Sequence, residues 1–175
     1  DKAIFGFGVD DTGGDGNDKT AITNLVSNSG VVASDTAGVG TARYALAAAE
    51  FGGDKAIFAF GVTSGLTNLS NKVSNSGTVA SDTSGVGTSR YSLDAAKFGE
   101  DKAIFGFGRT PGYTGITNLV SNSGVVASDV AAVGTAKRAP GACAYGGDKA
   151  IFSFGLPSST SLVSNSGVVA SDVTQ

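Results

Sequence analysis

The sequence predicts an all-β fold built from repeats, with a β-propeller of about four 47-residue, four-stranded blades as its architecture and a β-solenoid as the alternative. Three observations carry this. The phrase Asp-Lys-Ala-Ile-Phe begins at residues 1, 54, 101 and 148, spaced by 53, 47 and 47 residues, and each copy runs on into Phe-Gly. A second phrase, Val26-Ser27-Asn28-Ser29-Gly30-Val31-Val32-Ala33-Ser34-Asp35, returns with small changes from Val73, Val120 and Val163. Short apolar runs between Gly-, Ser- and Asn-rich breaks give each period room for about four strands, the content of a propeller blade.

The elements of one period follow in order. Tyr44-Ala45-Leu46-Ala47-Ala48-Ala49-Glu50-Phe51 is closed by Gly52-Gly53. Alanine favours helix, but the run is too short between its breaks, so a strand is expected. Its small side chains suit the crowded innermost position around a central channel. Lys55-Ala56-Ile57-Phe58-Ala59-Phe60-Gly61 is apolar on both faces, as befits a strand sandwiched between sheets. Thr67-Asn68-Leu69 with Val73-Ser74-Asn75 supplies a third strand, and Thr78-Val79-Ala80-Ser81 a fourth, joined through Ser76-Gly77 as a hairpin. The chain is read as one repeat domain over residues 1–175, with repeats 1–53, 54–100, 101–147 and a partial 148–175.

The alanine-rich strand occurs only three times, near Tyr44, Tyr91 and Ala139, giving fifteen expected strands where four blades need sixteen. A segment of a longer array, a ring closed by a partner chain and an open arc all fit. The segment is the preferred reading, in keeping with a chain that opens on Asp1 without a leader.

Composition narrows the function. Charged residues make up 15% and the net charge is −3, so no basic field exists to hold a phosphate backbone, and nucleic acid is not expected as a partner. No apolar stretch approaches the roughly 18 residues of a membrane span, so membrane insertion is not expected. The chain contains no histidine, which removes the commonest general base and imidazole metal ligand. Cys143 is the single cysteine and is expected to pack as a small apolar residue. No nucleophile elbow or phosphate loop is present, so the chain is read as noncatalytic.

Two groups of candidate site residues stand out. Gly13-Gly14-Asp15-Gly16-Asn17-Asp18 has the spacing of a calcium-binding nonapeptide, with Asp11, Asp15 and Asp18 as candidate metal ligands and calcium as the one cofactor suggested. A solvated loop extension is the competing reading. The segments 9–25, 62–72, 109–119 and 156–162 vary most between copies and should gather on one face. There Asp10, Arg109 and Tyr113 are the groups best able to meet a polar ligand such as a sugar. The Ser-Asn-Ser-Gly tracts are read as turn chemistry. Asp35, Asp82, Asp129 and Asp172 are expected to bond nearby amides after the fourth strand. Arg43, Arg90 and Arg138 are expected to make contacts between neighbouring repeats. Asn68-Leu69-Ser70 is a glycosylation sequon.

The order Arg-Tyr-x-Leu-x-Ala-Ala, a Gly-containing turn, an apolar strand ending in Gly, a hairpin and a return to Thr-Ala-Arg resembles the Kelch repeat. Arg43 and Arg90 fill the arginine that precedes its first strand, whereas the third copy has Lys137 in that register, Arg138 in the tyrosine register, and then Ala139-Pro140-Gly141. Phe-Gly replaces the Kelch glycine pair, and valine replaces the usual tryptophan. The phrasing is similar to Kelch-like repeat proteins encoded by aquatic tailed bacteriophages. That resemblance implies a structural or adhesion module of a virion or other extracellular assembly, partnered by other structural proteins or copies of itself. A carbohydrate-binding, lectin-like propeller that contacts cell-surface glycans is the alternative.

Overall fold

The computed structural model describes residues 2–10 and 18–173. Within them the fold is all-β, organised as small antiparallel sheets. The first sheet pairs β1 (Ala3–Val9) with β2 (Lys19–Val26). The second holds β3 (Ala47–Phe51), β4 (Lys55–Ala59) and β5 (Ser70–Val73), with β4 in the middle. The third repeats this order with β6 (Asp94–Phe98), β7 (Lys102–Gly106) and β8 (Thr117–Val120). The fourth does so with β9 (Gly141–Tyr145), β10 (Lys149–Ser153) and β11 (Ser161–Val163).

The alanine tracts are strands, as expected. The fourth strand of each period is different: it does not form a continuous ladder. Val79 and Thr83 touch β5 only at the isolated bridges Val73–Val79 and Ser70–Thr83, and the same two-point attachment recurs in the other repeats. The reason is local. Ser74 Oγ accepts from Thr78 N and Gly77 N donates to Ser74 O, so the tight turn consumes the groups that would otherwise start a ladder. The expected role of the Ser-Asn-Ser-Gly tract in turn formation is therefore seen directly. The first variable segment also contains more strand than expected, since β2 begins at Lys19.

The sheets pack face on face in chain order, β3 against β6 and β7, and β6 against β9 and β10. This is why the Ala-Ile-Phe strands are apolar on both faces: Ile57, Ile104 and Phe105 are fully buried. Small side chains let the alanine strands approach, and Ala47, Ala95 and Ala96 are buried in the resulting row. Among the described residues no further sheet covers β9, and Cys143 is exposed rather than packed as an apolar residue.

The Phe-Gly that closes each Asp-Lys-Ala-Ile-Phe-x-Phe-Gly phrase opens with a left-handed residue: φ is +67° at Phe60 and +62° at Phe107, each followed by a glycine with positive φ. A bulky residue in this region costs on the order of 1–2 kcal/mol. Burial of its ring offsets that cost. Phe60 packs edge-on to Phe105 and Phe107 to Phe152, with centroids 5.5 and 5.1 Å apart, so each ring plugs the following repeat. Phe7 meets Phe58 in the same way. The outermost members of the series, Phe5 and Phe154, are both 66% exposed.

Candidate functional site

Two repeated constellations merit attention: a buried joint between successive repeats and a partly exposed face of cations and aromatic rings. The joint is built from the segment that precedes each alanine strand. Arg43 is fully buried, donates through Nε to Phe60 O and through Nη1 to Thr41 O, and lies 4.3 Å over the Phe7 ring of the previous repeat. Arg90 repeats the arrangement with Phe107 O, Thr88 O and the Phe60 ring at 4.0 Å. Burial lowers both guanidinium pKa values to about 10, opposed by the charges of Asp82 and Asp129, and both stay protonated at neutral pH.

In the last joint the cation is Lys137, over Phe107 at 4.3 Å, and it donates to Ser159 O, Ser159 Oγ and Ser161 Oγ. The expected inter-repeat contact of Arg43 and Arg90 is thus present. Arg138, one residue out of register, instead reaches the other face.

Three of the four repeated acids, Asp82, Asp129 and Asp172, bond distant amides rather than the nearby ones the sequence suggests. Asp82 accepts from Thr41 N and Thr41 Oγ1, and Asp129 accepts the same pair from Thr88. Asp172 accepts from Thr135 N at 2.8 Å. Asn71 and Asn118 orient the first two carboxylates, and Ser161 orients the third. Because β3, β6 and β9 pair with the strands that follow them, the structural repeats begin at Gly40, Gly87 and Gly134 rather than at the Asp-Lys-Ala-Ile-Phe phrases, and these acids are latches that close each repeat on its own first residues. The sequence offered a usable signal, since Gly-Thr recurs at 40–41, 87–88 and 134–135.

The exposed face brings Arg109 and Tyr113 together, as their shared segment suggested: they form one backbone bridge, and Arg109 forms another with Tyr91. The Arg109 guanidinium lies 6.0 Å from the Tyr91 ring centroid, and Arg138 lies 5.9 Å from that of Tyr113. Lys19 approaches Tyr44 at 5.7 Å. Tyr44 and Tyr91 carry no site signal in the sequence because they sit at the start of the alanine strands, and Arg138 reads there only as an inter-repeat contact, although the 47-residue register marks all three as neighbours of the variable segments. Alternating cations and aromatic faces can stack on a sugar ring and pair with its acidic substituents.

Asp10 is exposed and donates through its backbone N to Asp18 O at 2.6 Å. Asp18 is exposed as well. Asp11 and Asp15 lie outside the described residues, and among the described residues no three acidic, histidine or cysteine side chains gather to hold a metal. The sequon is engaged in packing: Asn68 donates to Gly87 O at 2.7 Å and Ser70 is buried.

No family model matches the chain, and no characterised protein matches it.

Proposed function

We propose that the chain is a noncatalytic structural or adhesion module of an extracellular assembly, a stretch of propeller-like array of Kelch type, with a virion or its fibre as the setting its phrasing favours. One observation carries the reading: the outward faces of the first and last described sheets carry the two complementary halves of the joint that links the sheets between them. At one end Phe154 and Tyr145 stand uncovered, the counterparts of Phe60 and Phe51, which are buried by the following repeat. At the other end Phe5 and Val32 stand uncovered, the counterparts of Phe58 and Val79, which are buried by the preceding one. Gly30 completes the match. Its counterparts Gly124 and Gly167 sit against Phe51 and Phe98, while nothing lies within 4 Å of a side chain placed at Gly30.

Such a pair of faces supports heterologous, head-to-tail association, which propagates or closes into a ring. Burying each phenylalanine contributes about 1.5–3 kcal/mol. Sedimentation velocity tests it. The wild-type chain should assemble with rising concentration, and Phe5→Glu and Phe154→Glu should each be monomeric. Mixing the two variants should give a dimer and nothing larger, because one live end of each kind remains. A wild-type chain that stays monomeric, or assembly that survives either substitution, would remove the reading.

A second reading, glycan binding, is favoured by the ladder of Arg109, Tyr91, Tyr113 and Arg138. Binding of acidic sugars on a glycan array, lost in Arg109→Ala together with Tyr113→Ala, would support it. A blank array would dismiss it.

A further inference from the structure

The cations and rings of the exposed face follow one rule of placement. Within a repeat, backbone bridges set three positions side by side: Tyr44, Val62 and Leu66 in the second, and Tyr91, Arg109 and Tyr113 in the third. Val9 with Lys19 in the first repeat, and Arg138 with Leu156 in the fourth, fill two of the same three positions. Between repeats, the third position of one meets the first position of the next. Lys19 lies 5.7 Å from the Tyr44 ring centroid, and Arg138 lies 5.9 Å from that of Tyr113. Leu66 and Tyr91 hold the matching places at the middle junction. A strip therefore crosses each described junction, reading cation, ring, aliphatic group, ring, cation, ring and cation.

Charge along the strip is one-sided. The segments 41–46, 60–69, 88–93, 107–116, 135–140 and 154–160 hold five cations and no acid, in a chain whose net charge is −3. Arg43, Arg90 and Lys137 are buried in the joints, where Asp82, Asp129 and Asp172 are their nearby acids. Arg109 and Arg138 are half-buried at the surface, and neither forms an ion pair with a described acid. The exposed acids Asp10 and Asp18 belong to the first repeat. Accessible rings stack on the apolar faces of sugars, and guanidinium groups without an internal partner favour a carboxylate or sulfate. Because the pattern crosses repeats, a single sugar can use only one junction, whereas a chain can use them in succession.

We propose that the strip binds an acidic polysaccharide lengthwise, across successive repeats. The inference rests on the glycan-binding reading and adds to it that the ligand is a polymer. Each junction offers one ring and one cation and is weak alone. Linking successive contacts along one ligand raises affinity without any new kind of contact.

Two oligosaccharide series test it on the intact chain by calorimetric titration, galacturonate units for the carboxylate and chondroitin sulfate for the sulfate. In at least one series, a chain long enough to cross the strip should bind at least about tenfold tighter than the disaccharide. Lys19→Glu and Arg138→Glu place a repelling charge at either end of the strip. Lys19→Glu should weaken the long chain by about tenfold and leave the disaccharide unchanged, because the disaccharide sits at the end rich in guanidinium groups. Arg138→Glu should weaken both. Lys19→Gln and Arg138→Gln make the same comparison where reversal disturbs folding. A disaccharide that binds as tightly as the long chain, or a long chain indifferent to Lys19→Glu, overturns the inference and leaves the glycan reading standing. Binding in neither series removes both. Phosphatidylserine vesicles that bind as tightly as the polysaccharide overturn it in favour of a lipid surface.

Discussion

Thr41 and Asp82, 41 residues apart in sequence, close the second repeat on itself: the threonine gives both its amide and its hydroxyl to one carboxylate, at 2.9 and 2.6 Å from Oδ2. The same carboxylate lies 3.9 Å from Arg43 Nη1. A single acid therefore fixes the start of the repeat and steadies the cation that plugs the previous one. Local closure and contact between repeats share a residue, so stability should pass from repeat to repeat as it does in other nearest-neighbour arrays.

Asp82→Asn should destabilise the chain by about 1–3 kcal/mol, because two charge-assisted bonds become weaker or unmade while Thr41 stays in place. Asp35→Asn in the first repeat, where no described threonine donates to the acid, should change stability far less. Urea midpoints of the two variants measured side by side check this. Equal losses would mean that the latch adds nothing beyond the Asn-to-Asp bond.

The acid response follows from the same residues. Burial alone would raise the pKa of Asp82, but hydrogen bonds from Thr41 and Asn71 and the nearby Arg43 charge outweigh it and hold the carboxyl below its usual value. Asp129 is held low by Thr88, Asn118 and Arg90 in the same manner, again against burial. A carboxylate depressed in the folded state adds stability that is present above its unfolded pKa, near 3.9, and is lost as pH falls through the folded value. Asp94 has the opposite sign: burial raises its pKa in spite of bonds from Ala95 N and Ala142 N. Thermal melts from pH 6 to pH 2 should therefore fall mainly below about pH 4, and Asp82→Asn should flatten that fall.

Much of this fold was legible in the repeats. The Ala-Ile-Phe strands, the alanine strands and the Ser-Asn-Ser-Gly turns all appear where their residues place them, because their signals are local: apolar runs, small side chains and turn formers. Arg109 and Tyr113 could be paired because they share one short segment. The latch could not be read in the same way. Asp82 looks like a turn residue until the chain returns Thr41 to it from a distance, and propensity carries no information about that return. The fourth strand failed for a related reason, since Ser74 competes locally for the groups a ladder needs. Cys143 failed because its burial depends on a neighbouring sheet that only the inner repeats have.

The joint itself offers an exchange experiment. Arg90 donates only to backbone carbonyls, and the nearby Asn118 bonds Asp129 and Ala127 O instead, whereas Lys137 donates to the hydroxyl of Ser161, the equivalent of Asn118. Arg90→Met should cost about 2–4 kcal/mol, leaving buried carbonyls without a donor and the Phe60 ring without its cation. Arg90→Lys should cost less. Adding Asn118→Ser, which gives the shorter ammonium an oxygen to reach, should recover part of that loss, with a coupling of at least about 0.5 kcal/mol in a double-mutant cycle. Additive losses would show that the lysine and serine of the last joint are unrelated substitutions.

Gly124 and Gly30 share a turn position and a left-handed backbone, with φ of +74° and +78°, but differ in their surroundings. A side chain at Gly124 would stand 2.7 Å from the Phe51 ring, whereas Gly30 faces open space. Gly30→Ala should thus cost only the left-handed penalty, about 1 kcal/mol. Gly124→Ala adds a clash in the packed joint and should reach about 2–4 kcal/mol by chemical denaturation. If the ends of two copies meet as their faces suggest, Gly30 comes to lie against Tyr145 of the neighbouring copy. Gly30→Ala should then weaken assembly more than it weakens folding, and a variant that loses both in proportion would place Gly30 outside the joint.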